Sequence, residues 1–538
     1  MAKRKLIVIV DTGPLGDRIA EWQRCALETL GPDDDLVMLA CTNTALPRRA
    51  LRYPLYYALN LFTVRNALTR SVALGQLAAK VSDRIEFASG YDGAWQALPE
   101  TVLARIAAHR PDAIIKLGMG LLRVPDELKV PILSWHHGDP EHFRGRPAGF
   151  WELLADSPVL GQMVQVIGNR LDAGQVVAFA ETRVIRHSWK ATLVEAFRHS
   201  HLLLAPALEN AIAGRSLTKA TTGRNYRLPG NLQVARLVVQ LGAAKLGRIA
   251  SGALREKRWR VSRAPVSSSG AAVALATGQQ TLPEQAEWWT PNLPPGCSFI
   301  ADPFFGSGQD ELLVEAMPRW SGKGRIDLVT PTGSRQLSTG PGHHSYPGLV
   351  AQNGKTYCVP EIAQWSASAA FRWQVDWLRE TELKFGGAHR LTDPTFVWHC
   401  QRLYLFANDA RFGSGVLRLW SAAGLFDRFT EHPSSPIRIS PRGARMGGNL
   451  LHEGDRLIRL GQDCSRDYGD GLVAFEIEQL SPSTYRERKI GTMQFSDRKG
   501  PHTFNFAPDG TAVVFDWYRE AITPMAGIRR LMARVRRG

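Results

Sequence analysis

The chain has 538 residues, with 66 Lys+Arg against 50 Asp+Glu, a formal net charge of +16, 44% hydrophobic residues and 22% charged ones. At roughly 100–200 residues per domain this length implies about three compact units, and the composition excludes wholesale disorder. No apolar run approaches the roughly 18 residues of a spanning helix, and the 6 scattered cysteines form no C-x-x-C pair. Neither a disulfide framework nor a metal site is indicated, so a reducing cytoplasm is the expected setting, at most peripheral to a membrane.

Lys5–Val10 is β-branched and apolar and reads as a first buried strand; Leu6–Val10 is too short for a signal-peptide core and runs into Asp11. Asp11-Thr12-Gly13-Pro14-Leu15-Gly16 breaks that strand before a helical pattern from Asp17 to Leu30. Leu36–Ala40 is a further short strand, Val102–His109 a helix, and Ala113–Leu117 a buried strand ending at Gly118-Met119-Gly120. Ile132–Trp135 is the next strand, running into His136-His137-Gly138-Asp139. Alternating strands and helices predict an α/β, Rossmann-like domain with functional groups at the carboxyl ends of its strands. The two glycines around Met119 lack the third glycine of a dinucleotide fingerprint.

The informative segment runs from Ser134 to Gly174. Taken singly, adjacent histidines after a strand suit packing, and Leu171-Asp172-Ala173-Gly174 suits a hairpin turn. Together, with Arg144-Gly145-Arg146-Pro147-Ala148 between them, they point to a site. The segment resembles the formyltransferase family that uses 10-formyltetrahydrofolate, which shows a strand ending in N-x-H, a loop ending in Y-R-G, and a later L-D-x-G turn. Without gaps His136 falls on the family histidine, Phe143-Arg144-Gly145 on Y-R-G, and Leu171-Asp172-Ala173-Gly174 on L-D-x-G. The resemblance covers about residues 1–220 and implies 10-formyltetrahydrofolate as formyl donor. It further implies His136 and Asp172 as catalytic groups, and Gly118, Met119, Gly120, Asp139, Arg144 and Gly145 as the lining of the donor site. In formyl transfer an amine must lose a proton and a tetrahedral oxyanion must be stabilised. The histidine would donate to that oxygen, and Asp172 would hold the imidazole charged and pass on the amine proton. Two departures stand out: Ser134 replaces the family Asn, and Asp139 and Pro140 replace leucines. Losing one oxyanion donor costs about 2.7–4 kcal/mol of barrier, so Ser134, His137 or a backbone N–H has to compensate. A one-residue gap would instead make His137 the family histidine.

The positive charge is concentrated. Residues 214–264 hold twelve Lys/Arg and one acid, Glu256, and the last ten residues hold five Arg and no acid, which together account for the whole excess. A uniformly basic nucleic-acid binder is therefore not favoured. Leu232–Leu254 has helical spacing of its apolar residues, followed by Arg255, Lys257, Arg258 and Arg260 around Trp259. Segments 232–263 and 529–537 read either as a surface for an anionic membrane or polyanion, or as a packed helix and a solvated linker.

Beyond the Ser/Ala/Gly-rich stretch Ser262–Gln280, five related openings recur, counted from Asp302, Tyr346, Asp393, Gly447 and His502 at steps of 44, 47, 54 and 55 residues. Most are followed by a polar turn and a second strand, the period of a four-stranded blade, so an all-β five-bladed propeller is predicted. The half resembles furanosidase-type propellers and, more closely, the N-terminal domain of plant glucosamine inositolphosphorylceramide transferases, through Ala301-Asp302-Pro303-Phe304-Phe305, Gly322–Ile326, Ser345-Tyr346-Pro347, Val359-Pro360-Glu361 and Arg459–Gly469. Asp302, Glu361, Asp393 and Asp463 are the sugar-site candidates, with Arg466 and Tyr468 beside them; paired carboxylates would suit glycosidic chemistry, whereas Asp-Pro pairs alone would only start strands.

The expected organisation is a formyltransferase-like domain over 1–220, a basic helical region and linker over 221–284, the propeller over 285–520 and a basic tail over 521–538. The expected function is formyl transfer to an amino sugar in a nucleotide- or lipid-linked glycan precursor. The alternatives are a sugar-binding or glycoside-processing propeller with a decayed first domain, and formylation of initiator tRNA, for which a near-neutral propeller supplies no RNA-binding domain.

Overall fold

The computed structural model describes residues 3–44, 52–170, 173–308, 310–338, 340, 342–362, 368–374 and 377–537, with side chains in the last helix followed to Met532. The candidate Asp172 and its neighbour Leu171 lie outside the described residues. The chain divides into two compact units, Met1–Leu246 and Gly247–Gly538.

The first unit is α/β, built on a nine-stranded sheet. β1 (Lys5–Thr12), β2 (Asp35–Thr44), β3 (Val81–Gly90), β4 (Ala113–Lys116) and β5 (Ile132–His136) run parallel in the spatial order β3-β2-β1-β4-β5. β6 (Val159–Val166) and β7 (Gln175–Arg183) extend it antiparallel beyond β5. Leu6–Val10 and Ala113–Ile115 are buried throughout, because helices cover both faces of this part of the sheet. The order reverses between β1 and β4: the chain first builds outward to β3, then returns through α2 (Glu100–His109), after α1 (Glu21–Leu27), to the other side of β1. Such a switch point opens a crevice at the strands' carboxyl ends. Val102 and Ile106 of α2 pack with Ile7, Ile9, Ile114 and Ile132 on one face. On the other side α3 (Phe150–Leu154), α4 (Trp189–Ser200) and the start of α6 (Asn231–Leu254) form a second cluster around Phe150, Trp189 and Leu237, with α5 (Leu204–Ile212) following α4. The helical pattern expected from Asp17 is shorter than expected. Arg18–Ala20 is a strand paired with Ser71–Ala73, and the Arg18 guanidinium donates to the Ser71 hydroxyl and carbonyl at 3.0 and 2.7 Å.

The second unit is the five-bladed propeller. Four blades follow in sequence, with inner strands Cys297–Phe305, His344–Gln352, Leu391–His399 and Arg442–Met446. The fifth combines Phe504–Phe506 and Ala512–Ile522 with Arg255–Pro265, which pairs antiparallel along the whole of the latter strand. The basic stretch after the helix thus differs from the expected linker: it closes the ring of blades. Its charges are interleaved with Trp259, Val261, Ser262 and Ala264, which are buried, so the inward positions were hidden among the arginines.

The repeat has a backbone cause. Asp302, Tyr346 and Asp393 hold φ of +49°, +46° and +48°, each just before a proline and each inside a β-bulge of an inner strand. The bulge adds an unpaired residue and re-aims its side chain. In the fourth blade the equivalent bulge lies between Arg442 and Arg445 and holds Gly443, at φ +87°, so the repeat there starts at Gly443 and not at the expected Gly447.

Candidate functional site

At the switch point, the carboxyl end of β1 carries Asp11. Its Oδ1 accepts from the Asn43 amide at 2.9 Å and from the Met119 N–H at 2.7 Å, and Asn43 in turn accepts from Gln96 at 2.9 Å. Gln96 also accepts the Gly120 N–H. A Cβ at Gly118 would fall 2.4 Å from the Asp11 nitrogen, and one at Gly120 would fall 2.6 Å from the Tyr91 ring, so both glycines are demanded by close approach.

Along β5, side chains alternate between the faces. Trp135 and His137 point toward α1 and α4: the Trp135 indole donates to the Ser200 carbonyl at 3.1 Å, and His137 Nε2 lies 2.9 Å from the Ser200 hydroxyl, edge-on to Trp22 and Phe197. Burial, with His136 adding to it, pushes the His137 pKa down to about 3, so this ring is neutral and part of an aromatic core. Ser134 and His136 face the opposite way. Because Ile114 pairs with Ile132, Lys116 lies on that same face, one strand from Ser134. Burial lowers the pKa of its ammonium, with Asp11 pulling the other way. On the far side of β5, Gln165 pairs with Ser134, and its Oε1 accepts the Gly174 N–H at 3.0 Å. A Cβ at Gly138 would lie 2.7 Å from His136 Nε2, so this loop residue must be glycine for the imidazole to pack. Lys116 was missed in the sequence, where a lysine ending an apolar run reads as a strand boundary.

The other expected lining residues have structural partners. Asp139 caps its own turn, accepting from the Glu141 N–H at 2.9 Å. Arg144 donates to the carbonyls of Gly223 and Thr221 at 2.8 and 2.9 Å, and Gly145, at φ +91°, admits the Tyr226 backbone beside it.

In the propeller, the structure brings Asp302, Glu361 and Asp393 into one largely buried cluster and adds groups from three blades. Arg445 clamps Asp393, with Nε 2.6 Å from Oδ2, and reaches Glu361 at 3.7 Å; Gln462 donates to Asp393 at 2.9 Å. The Tyr468 ring lies 5.0 Å from the Arg445 guanidinium. His502 stands between Asp516 at 2.6 Å and Asp302 at 3.3 Å, under the Trp259 ring, while Thr503 donates to Asp302 at 2.7 Å. Burial, then the carboxylates around them, raises Glu315 well above the ordinary range and Glu361 to about 8; burial takes Asp302 to about 6 against the pull of His502. Burial opposes the charge on His502, but Asp516 and Asp302 outweigh it and raise its pKa. Asp463 is not part of the cluster by any such contact: its carboxylate accepts the Ser465 N–H at 2.9 Å and caps a turn. Arg466 is exposed. Glu315, Arg445 and the His502–Asp516 pair were not singled out from sequence, since each is contributed by a different blade.

Among the described residues, two groups have ligand atoms spaced for a metal ion, Asp139–Glu141–His142 and Asp302–His502–Asp516. In the first, Glu141 is paired with Lys219 at 2.8 Å; in the second, Asp516 already accepts the N–H groups of His502 and Thr503.

The Glu361 shift has a measurable consequence. Its carboxyl is protonated more readily folded than unfolded, so its contribution is fully present below pH 4.5 and is lost as pH rises through about 8. The melting temperature is expected to fall between pH 5 and 9, and Glu361→Gln is expected to flatten that fall; an unchanged slope in the variant would refute the assignment.

Residues 335–511 match the family model described as glucosamine inositolphosphorylceramide transferase 1, N-terminal. The matched stretch includes Glu361, Asp393, Arg445, Tyr468 and His502. Two plant proteins of that name are similar to part of the chain. The one from Arabidopsis thaliana is 32% identical over 173 residues, covering 30% of this chain and 22% of its own length. The one from Oryza sativa subsp. japonica is 29% identical over 172 residues, covering 30% and 23%. The chain thus spans less than a quarter of the length of these relatives. Similar solved structures include a phosphoribosylglycinamide formyltransferase from Anaplasma phagocytophilum, with 13% identity and a TM-score of 0.27 over 40% of this chain and 89% of that one. A formyltetrahydrofolate deformylase from Burkholderia mallei shows 13% identity and a TM-score of 0.27, over 40% and 66%.

Proposed function

We propose that this chain transfers a formyl group from 10-formyltetrahydrofolate to the amine of an amino sugar in a nucleotide- or lipid-linked glycan precursor, and that the buried cluster of the propeller recognises the glycan. The observation that supports it most is the placing of Lys116, Ser134 and His136 on one face of adjacent strands, at carboxyl ends beside the switch point. The donor would lie against the Gly118–Gly120 backbone. The amine nitrogen bonds to the formyl carbon, the bond from that carbon to the folate nitrogen breaks, and the amine proton ends on that nitrogen. His136 donates a hydrogen bond to the oxyanion, and Asp172 serves as the carboxylate that takes the amine proton. Ser134 is shorter than the family Asn, and Lys116 beside it supplies the second donor. The name of the plant relatives supports an amino sugar as what the propeller holds. The test is release of tetrahydrofolate from 10-formyltetrahydrofolate on mixing with nucleotide-linked amino sugars. If no amino sugar supports release, and Asp172→Asn changes nothing, the assignment fails; calorimetry with the folate alone then shows whether the first unit binds it at all.

A second function is favoured by a separate observation, the carboxyl groups of Glu361 and Glu315, with pKa raised by burial, beside an Arg445-bound Asp393. A proton donor next to a carboxylate is the equipment of glycosidic chemistry. If the propeller itself processes a glycoside, Glu361→Gln and Asp302→Asn abolish that turnover and leave tetrahydrofolate release intact.

A further inference from the structure

The last helix, α7 (Ala526–Arg537), contains five arginines and no acid. Its first turn is anchored by the Ala526 N–H to the Thr523 carbonyl at 2.9 Å and the Arg529 N–H to the Met525 carbonyl at 3.0 Å. The helix docks through its small and polar edge. Gly527 lies against Ala253, where a Cβ would come within 3.3 Å of backbone, and Arg530 donates to the carbonyls of Gly252 and Arg255 at the end of α6. Arg529 pairs with Glu256 at 3.3 Å.

The apolar residues therefore face outward. Ile528, Leu531 and Met532, at i, i+3 and i+4, share one face and are 50%, 63% and 40% exposed. Ile249 and Leu254 of α6, together with Ile522 and Met525 just before α7, are also exposed, and the Thr523 N–H to Leu254 carbonyl bond brings the two segments together. A soluble surface seldom leaves such a set uncovered. A helix that docks by its polar edge and presents an apolar face within a run of arginines combines the two attractions that hold an interfacial helix, apolar insertion and pairing with anionic headgroups.

We propose that this face of the second unit, formed by α7 and the adjoining end of α6, docks on an anionic membrane surface with Ile528, Leu531 and Met532 inserted among the lipids. Trp259, an attractive anchor in the sequence, is excluded from this role because it is buried over His502. The proposal does not depend on formyl transfer.

The test is sedimentation of the full chain with vesicles of phosphatidylcholine alone and of phosphatidylcholine containing phosphatidylglycerol. Wild type is expected to bind the anionic vesicles at least tenfold more strongly, and to lose most of that preference in high salt, where surface charge is screened. Ile528→Asp/Leu531→Asp, at exposed positions, is expected to weaken binding at least tenfold with an unchanged circular dichroism spectrum. Absence of binding, or equal binding by the variant, overturns the proposal. So does light scattering that shows a dimer which the substitutions split, because the face then belongs to a second copy of the chain.

Discussion

Arg445→Met is expected to destabilise the propeller by about 3–5 kcal/mol, the usual penalty for removing one partner of a buried ion pair. The side chain holds Asp393 at 2.6 Å and Glu361 at 3.7 Å, and its own pKa is raised because Asp393 and its neighbours outweigh the cost of burial. Without it, the buried Asp393 retains the Gln462 amide as a donor but no counter-charge. Adding Asp393→Asn removes the stranded charge and is expected to recover much of the loss, a non-additivity that marks direct coupling. Urea unfolding followed by tryptophan fluorescence measures both. A loss that Asp393→Asn leaves unchanged or deepens would mean that Arg445 matters only as packing.

The sequence made some parts of this molecule legible and concealed others for identifiable reasons. β1 and β4 are readable because a strand buried on both faces is a continuous apolar run. The propeller is readable because the residue before each proline must take a positive φ in a bulge, which leaves Asp302-Pro303, Tyr346-Pro347 and Asp393-Pro394 at similar spacing. Where glycine meets the same need at Gly443, the signal vanishes and the neighbouring Met446-Gly447-Gly448 is mistaken for it. β3 and the strand Arg255–Pro265 were hidden by charge, since charged side chains break up their apolar positions. Asp463 is the opposite case: it lies in a conspicuous polar run, and its carboxylate accepts a backbone N–H two residues on, a local bond that any turn can make. Arg445 and Glu315 derive their meaning from distant blades, and no local pattern announces them; His502 opens a repeat, but its pairing with Asp516 and Asp302 is not visible in that pattern. The same holds at the strand-end site. The His136-His137 pair contains one candidate and one core residue, and only the alternation of β5 against Trp22 and Ser200 separates them.

Within the proposed formyl transfer, His136→Asn is expected to slow tetrahydrofolate release by about 10²–10⁴-fold, the range for a positioned acid–base group. His137→Gln, by contrast, should act on stability. Lys116→Met is expected to cost about 10²–10³-fold, comparable to losing one oxyanion donor. The decisive comparison uses Ser134→Asn, which restores the side chain of the resembling family. If Lys116 stands in for that Asn, Ser134→Asn gains little in wild type, where the donor is already supplied, and restores most of the rate in the Lys116→Met background. Lys116 also predicts a pH signature. Burial lowers its pKa, so the rate should fall on the alkaline side as the ammonium loses its proton, and that limb should disappear in Lys116→Met/Ser134→Asn, whose amide does not titrate. A merely structural lysine would be rescued by no residue at 134 and would leave the alkaline limb where it was. Steady-state rates of the four proteins across pH 6–10 therefore distinguish a donor from a packing residue.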